Sequence, residues 1–180
     1  TYDLLVDGAS LRDIVLPTQF DSLFIAPATT DLSSTDVDLV DHENRVGLLR
    51  AALRDAPDMS FDVILIDCPP SLSLLTVNAL VAADAALVPL QTEFFALEGL
   101  SQLLMTVRQV RESANPALRV DGVVLTMFDQ RNNLCRQVEE DARETLGELV
   151  YRTRIPRNVR VSEAPSYALP VIDYDPASKG

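Results

Sequence analysis

The chain has 180 residues, 47% of them apolar, and a formal net charge of −12 at neutral pH. That length and apolar content are enough for one well-filled domain, and the acidic balance excludes a protein that coats nucleic acid with a generally basic surface. The sequence contains no apolar run of about 18 residues and its amino end is acidic, so it predicts neither a membrane span nor a signal peptide.

The first 60 residues are predicted to be mainly helical. The predicted elements are helical turns at Tyr2–Val6 and Leu11–Val15, a short strand at Leu23–Ala26 and a longer helix from Val37 to Leu53. Ser33 or Ser34 can cap the amino end of the longer helix, and Pro57 is expected to close the segment. That helix carries acidic residues early and arginines late, as its dipole prefers.

Phe61–Ser71 contains the most informative run of the chain. Val63–Ile66 is continuously apolar, which is typical of a strand covered on both faces of a parallel sheet, and Asp67 follows at the carboxyl end of that strand. Ligands bind at this end in open α/β sheets. Two interpretations are open. Asp67 holds the Mg²⁺ of a nucleotide through water, with Cys68-Pro69-Pro70 as a switch segment, or it caps a loop after an ordinary buried strand.

The cysteines and the histidine indicate no catalytic or metal-binding role. Cys68 and Cys135 are far apart and the sequence has no CxxC motif, which favours a reduced cytosolic protein over a disulfide scaffold. Cys68 has no base nearby in the sequence and is expected to be a small packed side chain. His42 belongs to a polar segment and is expected at the surface.

Residues 72 to 155 alternate between helical and strand patterns. The predicted helices are Leu72–Ala83, Leu97–Ala114 and Leu134–Leu146, and the predicted strands are Ala85–Leu90, Val120–Phe128 and Val150–Ile155. One face of the last helix is expected to point inward, with Glu139 and Arg143 paired on the solvent face. Strands separated by helices of this length predict right-handed βαβ units, and therefore an α/β protein with a parallel sheet.

Two loops that follow strands carry candidate binding residues. Arg131, in the segment Asp129–Asn133, can pair with a phosphate or simply cap Asp129. The segment Phe94–Gly99, with glutamates at positions 93 and 98, can face a dimer partner or form a solvated acidic loop. In both loops the two interpretations stay open.

The loop after the last strand, Ile155–Arg160, has the most distinctive chemistry. The amide of Asn158 presents a donor and an acceptor side by side, which matches the N6/N7 edge of adenine, and Pro156 fixes the approach of the backbone. Four arginines lie between residues 151 and 160, with Arg160 the last of them, and they form a local positive patch. The alternative is an arginine-rich turn bonded to the protein's own carboxylates.

Seven phrases of the sequence resemble the ParA/Soj family of chromosome- and plasmid-partitioning ATPases, of the deviant-Walker class that includes MinD. In chain order they are YDLLVDGA, IAPATTDLSS, FDVILIDCPPSLSLLTVNAL, PLQTEFFALEGLSQLL, LTMFDQRNNL, IPRNVRVSEAPS and DYDPASKG. They cover essentially the whole chain, and the fourth and sixth favour ParA/Soj over other members of the class. The resemblance implies a three-layer α/β fold of the P-loop NTPase kind, with a mostly parallel sheet and helices on both faces, in a single ATPase domain spanning residues 1–180.

The resemblance also implies roles for individual residues and a reaction cycle. Asp67 corresponds to the family's Walker B aspartate. Pro156 and Asn158 match its adenine-contacting loop, and Arg131 and Arg160 stand where it has arginines for non-specific DNA binding. In the family, ATP with Mg²⁺ closes a homodimer, the dimer binds nucleoid DNA in the bacterial cytoplasm, and a ParB-type partner stimulates hydrolysis and release. Such DNA contact is directed at phosphates and sensitive to salt.

The departures from the family pattern are large. The six glycines are all isolated and Lys179 is the single lysine, whereas a loop that cradles phosphates needs clustered glycines beside a lysine. The family's amino-terminal strand, its KGGxGKT loop, its switch I segment and its carboxy-terminal helix have no counterpart in the sequence. This chain alone is therefore expected neither to hydrolyse ATP nor to bind it as the intact family does.

The missing strand has a further consequence, because it leaves an unpaired interior edge that is a predicted association site. One alternative is a non-enzymatic remnant that binds a partner. Another, less favoured because the sequence lacks an amphipathic carboxy-terminal helix, is a MinD-like protein that positions cell division.

Overall fold

The computed structural model describes residues 1–56, 58–69 and 71–179. Pro57, which was expected to close a helix, and Pro70, which belongs to the expected switch segment, lie outside the described residues, as does Gly180. The chain divides into two compact units, of which Thr1–Asp84 and Thr106–Leu118 form the first, and Ala85–Met105 and Arg119–Gly180 the second. None of the helices in the described part of the chain is long and apolar enough to cross a membrane.

The first unit is mostly helical. Its elements are α1 (Tyr2–Leu5), α2 (Leu11–Ile14), β1 (Leu16–Pro17), β2 (Phe24–Ile25), a 3-10 helix (Thr30–Ser34), α3 (Thr35–Asp38), α4 (Leu48–Arg54) and α5 (Leu74–Ala82). The two predicted helical turns at the amino end are confirmed, and Gly8 between them has a φ of +71°, a left-handed conformation that glycine adopts without steric cost. The predicted short strand is confirmed as β2, which pairs antiparallel with β1.

Buried amides stabilise the packing around α5. Asn78 is only 1% exposed; it accepts a hydrogen bond from the backbone N–H of Leu49 on α4 at 3.3 Å and donates to the carbonyl of Arg45 at 2.7 Å. Asn115 donates to two carbonyls at the end of α5, at 3.0 and 2.8 Å. A buried polar group left without a partner costs about 1–3 kcal/mol, so these bonds hold the middle and the carboxyl end of α5 in place.

The single helix predicted from Val37 to Leu53 is wrong. α3 and α4 are separate helices joined by turns. Between them the ring of His42 accepts a hydrogen bond from the backbone N–H of Asn44 at 3.2 Å, and such local side-chain bonds compete with helix formation. Ser34 does stand at the N-cap position of α3, but its side chain makes no capping bond. His42 is exposed, as predicted.

The strand predicted at Val63–Ile66 is also wrong. This run belongs to no strand, and Val63, Ile64 and Leu65 are 73%, 52% and 90% exposed. A buried parallel strand needs a neighbouring strand and cover on each face, and within residues 1–56, 58–69 and 71–179 no strand pairs with this run. Cys68, which was predicted to be packed, is exposed for the same reason.

The second unit is built on a parallel sheet. Its elements are β3 (Ala85–Gln91), α6 (Ala96–Ser113, which continues into the first unit), β4 (Arg119–Phe128), α7 (Asn133–Leu146), a 3-10 helix (Gly147–Leu149), β5 (Val150–Pro156), α8 (Val159–Glu163), a 3-10 helix (Ala164–Tyr167) and α9 (Val171–Tyr174). The strands are parallel in the order β3-β4-β5. The predicted α/β class with a parallel sheet and intervening helices is thus confirmed.

The core of this unit lies between the sheet and its helices. Val123 and Leu125 on β4 are fully buried and pack with Leu100 of α6 and Ala142 of α7. The inward face predicted for α7 is therefore confirmed for its central residues, whereas Leu134 at its start is 37% exposed.

The ion pair predicted between Glu139 and Arg143 on α7 is present, at 2.9 Å. Its predicted position on the solvent face is wrong, because only 15% of the Glu139 side chain is exposed. Glu139 also binds Arg154 of β5 at 2.9 Å, which draws it against the sheet.

Candidate site at the carboxyl edge of the sheet

The carboxyl ends of β4 and β5 meet at one edge of the sheet. Phe128 and Pro156 are register partners, and the backbone N–H of Arg157 donates to the carbonyl of Phe128 at 3.1 Å. Met127 has a φ of +51°, in a stretch where the register between the two strands shifts, so the end of β4 bends as it enters its loop. This geometry brings the loop of Arg131 beside the loop of Pro156 and Asn158, at the edge where parallel sheets bind ligands.

Arg131 and Asp129 form a compact pair in the loop after β4. The Asp129 carboxylate accepts hydrogen bonds from the backbone N–H, Nε and Nη2 of Arg131 at 3.0, 3.1 and 3.0 Å. The side-chain bond from Arg131 is the main cause that lowers the pKa of Asp129, and the same bond raises the pKa of Arg131. The predicted interaction with Asp129 is therefore confirmed, and contact with a phosphate stays a prediction for a side chain that is 91% exposed.

Asn158 lies at the N-cap of α8. Its Oδ1 accepts a hydrogen bond from the backbone N–H of Arg160 at 2.8 Å, which fixes the orientation of the amide. A carbonyl oxygen has two lone pairs and an amide nitrogen two donors, so the group retains capacity to bind a base edge. Pro156, half-buried at the end of β5, sets the backbone in front of it. The adenine-contacting role of both residues stays a prediction.

Arg160 is bound by two acidic residues of its own chain. Its Nη1 lies 2.9 Å from Glu163 and its Nε 3.4 Å from Asp175. The hydrogen bond to Glu163 is the main cause of a raised pKa of Arg160. Tyr174 also donates to the Glu163 carboxylate, at 3.3 Å. The predicted alternative of an arginine-rich segment bonded to its own carboxylates is thus confirmed here, as it is for the pair of Arg154 and Glu139.

Asp67 belongs to the first unit and its side chain is exposed. Partial desolvation, and to a smaller extent the charge of Asp67, raises the pKa of the Cys68 thiol, which disfavours the reactive thiolate. Within the described ranges no group of three or more His, Cys, Asp and Glu could hold a metal ion. Asp67 fits Mg²⁺ only as a carboxylate that binds the ion through water, with waters and phosphates as the ion's ligands, because magnesium bound with a nucleotide usually keeps several of its waters.

An aromatic surface that was not predicted from the sequence lies beside this edge, at the start of the segment Phe94–Gly99. Phe94 and Phe95 are 74% and 73% exposed, with their rings perpendicular and 5.0 Å apart at the start of α6. They line a space of about 480 Å³ together with Leu90, Gln91, Glu93, Ala96 and Leu134. Two consecutive phenylalanines before a helix were the available signal, and the acidic residues around them obscured it.

Comparison with known proteins identifies relatives over nearly the whole chain. A family model described as an AAA domain matches residues 1–120. The chain is 50% identical over 179 residues to the sporulation initiation inhibitor protein Soj of Bacillus subtilis, covering 99% of the chain and 70% of that protein. It is 51% identical over 175 residues to the chromosome partitioning protein ParA of Caulobacter vibrioides, covering 97% of the chain and 66% of that protein. The chain thus spans about two thirds of the length of these relatives.

A similar solved structure is that of cobyrinic acid a,c-diamide synthase from Mycobacterium smegmatis with a bound ATP analogue and magnesium. The TM-score is 0.78 at 34% identity, with 88% of this chain and 64% of that one covered. This similarity confirms the three-layer α/β class of P-loop NTPases. With half of its residues identical to Soj across its length, the chain belongs to the ParA/Soj family of chromosome-partitioning proteins.

Proposed function

We propose that this chain acts as part of a ParA-type partitioning ATPase, which uses ATP-dependent dimerisation and non-specific DNA binding to segregate chromosome or plasmid DNA. The observation that carries the proposal is the 50% identity to Soj over 179 residues. Residues 1–180 are then one ParA-type ATPase domain that works as a homodimer on the nucleoid, in the cytoplasm, with a ParB-type protein as its partner.

Five residues have roles in this proposal. Asp67 holds Mg²⁺ through water, and Pro156 and Asn158 contact the adenine. Arg131 and Arg160 bind phosphates of the DNA backbone. The nucleotide with its metal supplies the binding energy that closes the dimer; the chain's own residues hold the base and the DNA.

Hydrolysis by this chain alone is not part of the proposal. The sequence of 180 residues has no cluster of glycines beside a lysine, and phosphoryl transfer depends on positioning and neutralising the phosphates. The role proposed here is to provide the base-contacting loop and the DNA-binding edge.

DNA binding provides the direct test. A short fluorescent duplex of mixed sequence is titrated with the chain in the presence of ATP and Mg²⁺, and anisotropy reports binding. The double variant Arg131→Ala/Arg160→Ala is expected to bind at least about tenfold more weakly, because each phosphate contact contributes to counterion release. Arg108→Ala is the control, since Arg108 is another exposed arginine that pairs with a glutamate. Equal weakening by the control and the double variant would refute the proposed DNA-binding residues.

A second candidate function, a non-enzymatic interaction module, is favoured by the exposed apolar run Val63–Leu65. A surface of this kind is a docking or association site in many proteins. Titration with ATP-γ-S separates the two functions, because saturable binding that Asn158→Ala weakens would favour a partitioning ATPase and would overturn the expectation that this chain alone does not bind ATP as the intact family does. The absence of any ATP-γ-S binding, together with normal association with a partner, would favour the interaction module.

A further inference from the structure

Both arginines proposed to bind DNA are already occupied by carboxylates of the same chain. We infer that Asp129 and Glu163 compete with DNA phosphates for Arg131 and Arg160, so that DNA binding is an exchange of an internal carboxylate for an external phosphate. This inference rests on the proposed function, because it concerns how the same DNA-binding edge is regulated.

The pair of Arg131 and Asp129 uses the groups that a phosphate would need. Nε and Nη2 of the guanidinium face the two oxygens of the carboxylate at 3.1 and 3.0 Å. This fork is the arrangement in which arginine binds phosphate oxygens. A phosphate therefore cannot take the same two donors until the carboxylate has moved away.

Arg160, on α8, is occupied by two separate carboxylates. Its Nη1 is bound to Glu163 and its Nε faces Asp175, so both sides of the guanidinium meet an acidic oxygen. The side chain is nevertheless 54% exposed, which leaves it within reach of a ligand from solvent.

Each carboxylate has a second donor that remains when the arginine leaves. Asp129 keeps the backbone N–H of Arg131, at 3.0 Å. Glu163 keeps the hydroxyl of Tyr174, at 3.3 Å. Each carboxylate therefore keeps a hydrogen bond after the exchange, and the free energy needed to release the arginine is correspondingly small.

The pair of Arg143 and Glu139 shows what a non-exchangeable contact looks like in the same unit. The arginine side chain is only 33% exposed, and it also donates to the carbonyls of Val150 and Tyr151 at 3.2 and 3.0 Å. Releasing it would break three contacts at once. The exposed pairs of Arg131 and Arg160 have no such additional anchors on β5.

The exchange favours dense polyanions over single anions. In the free protein the positive charge of each arginine is balanced by at least one carboxylate, so the ion pairs carry little net positive charge. A lone anion has to displace a carboxylate for one new contact, whereas a DNA duplex supplies several phosphates together and releases its condensed counterions. The overall charge of −12 adds to this discrimination against weakly bound anions.

The test neutralises each competitor without changing its shape. Asp129→Asn and Glu163→Gln are titrated with the fluorescent duplex under the conditions used above, at several salt concentrations. Glu144→Gln is the matched control, because Glu144 is exposed on α7 and its substitution removes the same unit of charge. Each of the two competitor variants is expected to bind DNA about two- to fivefold more tightly than the control variant, which corresponds to the strength of an exposed ion pair.

The salt dependence separates an exchange from a structural effect. Removing a competitor leaves the number of phosphate contacts unchanged, so the slope of log K against log salt stays that of the native chain, whereas Arg131→Ala lowers its magnitude by about 0.9. Circular dichroism checks that each variant is folded.

The outcomes distinguish this inference from the function on which it rests. If Arg131→Ala weakens binding while Asp129→Asn and Glu163→Gln match the control, the competition is refuted and the DNA-binding role stands. If Arg131→Ala and Arg160→Ala leave binding unchanged, or no variant binds DNA, the DNA-binding role fails and the competition fails with it.

Discussion

Glu139 on α7 is expected to hold β5 in place, together with the loop that follows this strand. Its carboxylate binds Arg143 and Arg154, each at 2.9 Å, while only 15% of its side chain is exposed. Arg143 in turn donates to two backbone carbonyls at the start of β5. Arg154 also lies over the ring of Phe128, 4.8 Å from its centre, so the network reaches the end of β4 as well.

Glu139→Gln removes the charge and leaves two arginines close together. An exposed ion pair contributes about 0.2–1 kcal/mol, and breaking a buried one costs about 3–5 kcal/mol. The partial burial of Glu139 places it between these limits, so we expect the free energy of unfolding to fall by about 2 kcal/mol.

The chain offers a matched control in Glu112, which pairs with Arg108 across the same number of residues and at the same 2.9 Å. These two side chains are 64% and 81% exposed, so Glu112→Gln is expected to cost less than about 1 kcal/mol. Urea unfolding followed by circular dichroism measures both variants. Equal losses would refute the argument that the burial of Glu139 sets its contribution.

Two further predictions concern packing and charge. Gly122→Ala places a Cβ 2.9 Å from the ring of Tyr151 and is expected to lower the free energy of unfolding by about 1–3 kcal/mol, measured by thermal or urea unfolding. Gly99→Ala, in open space on α6, is expected to raise it by about 0.5–1 kcal/mol, and a lower free energy of unfolding would contradict that expectation. Arg131→Ala is expected to raise the pKa of Asp129 toward its usual value, measured by carboxyl-carbon NMR, because Arg131 is the main cause of the lowered pKa. The pKa of Asp129 is lower in the folded protein than in the unfolded chain. The ion pair therefore stabilises the folded protein fully at a pH above the pKa of Asp129 in the unfolded chain, and this stabilisation is lost as the pH falls through its pKa in the folded protein.

The elements of the second unit could be predicted because their signals are local. α6 repeats apolar residues at helical spacing, and β3 and β4 are short apolar runs bounded by polar residues, so their ends agree with the structure within one or two positions. Val63–Ile66 has the same local pattern as β3, but a strand also needs a partner, and periodicity does not encode one. The helix predicted from Val37 to Leu53 failed for a related reason, since helical spacing continues across a turn that polar side chains stabilise.

The candidate site could be predicted only in outline. The sequence predicted that Arg131 and Asn158 each lie in a loop after a strand of a parallel sheet, and ligands bind at the carboxyl ends of such strands. The partner of each arginine depends on tertiary structure. Asp175 reaches Arg160 only after α8 and α9 have folded against each other, and no spacing in the sequence indicates that contact.

The residues proposed to bind ligands differ in how firmly the fold positions them. We expect this difference to determine how much each of them contributes to binding. Asn158 is fixed by its bond at the N-cap of α8, and the loop of Arg131 is fixed through Asp129. Asp67 instead follows an apolar run that pairs with no strand among the described residues. A side chain held by defined hydrogen bonds loses less conformational entropy on binding than one at the end of an exposed run. Substitution of Asn158 should therefore change nucleotide binding by this chain more than substitution of Asp67.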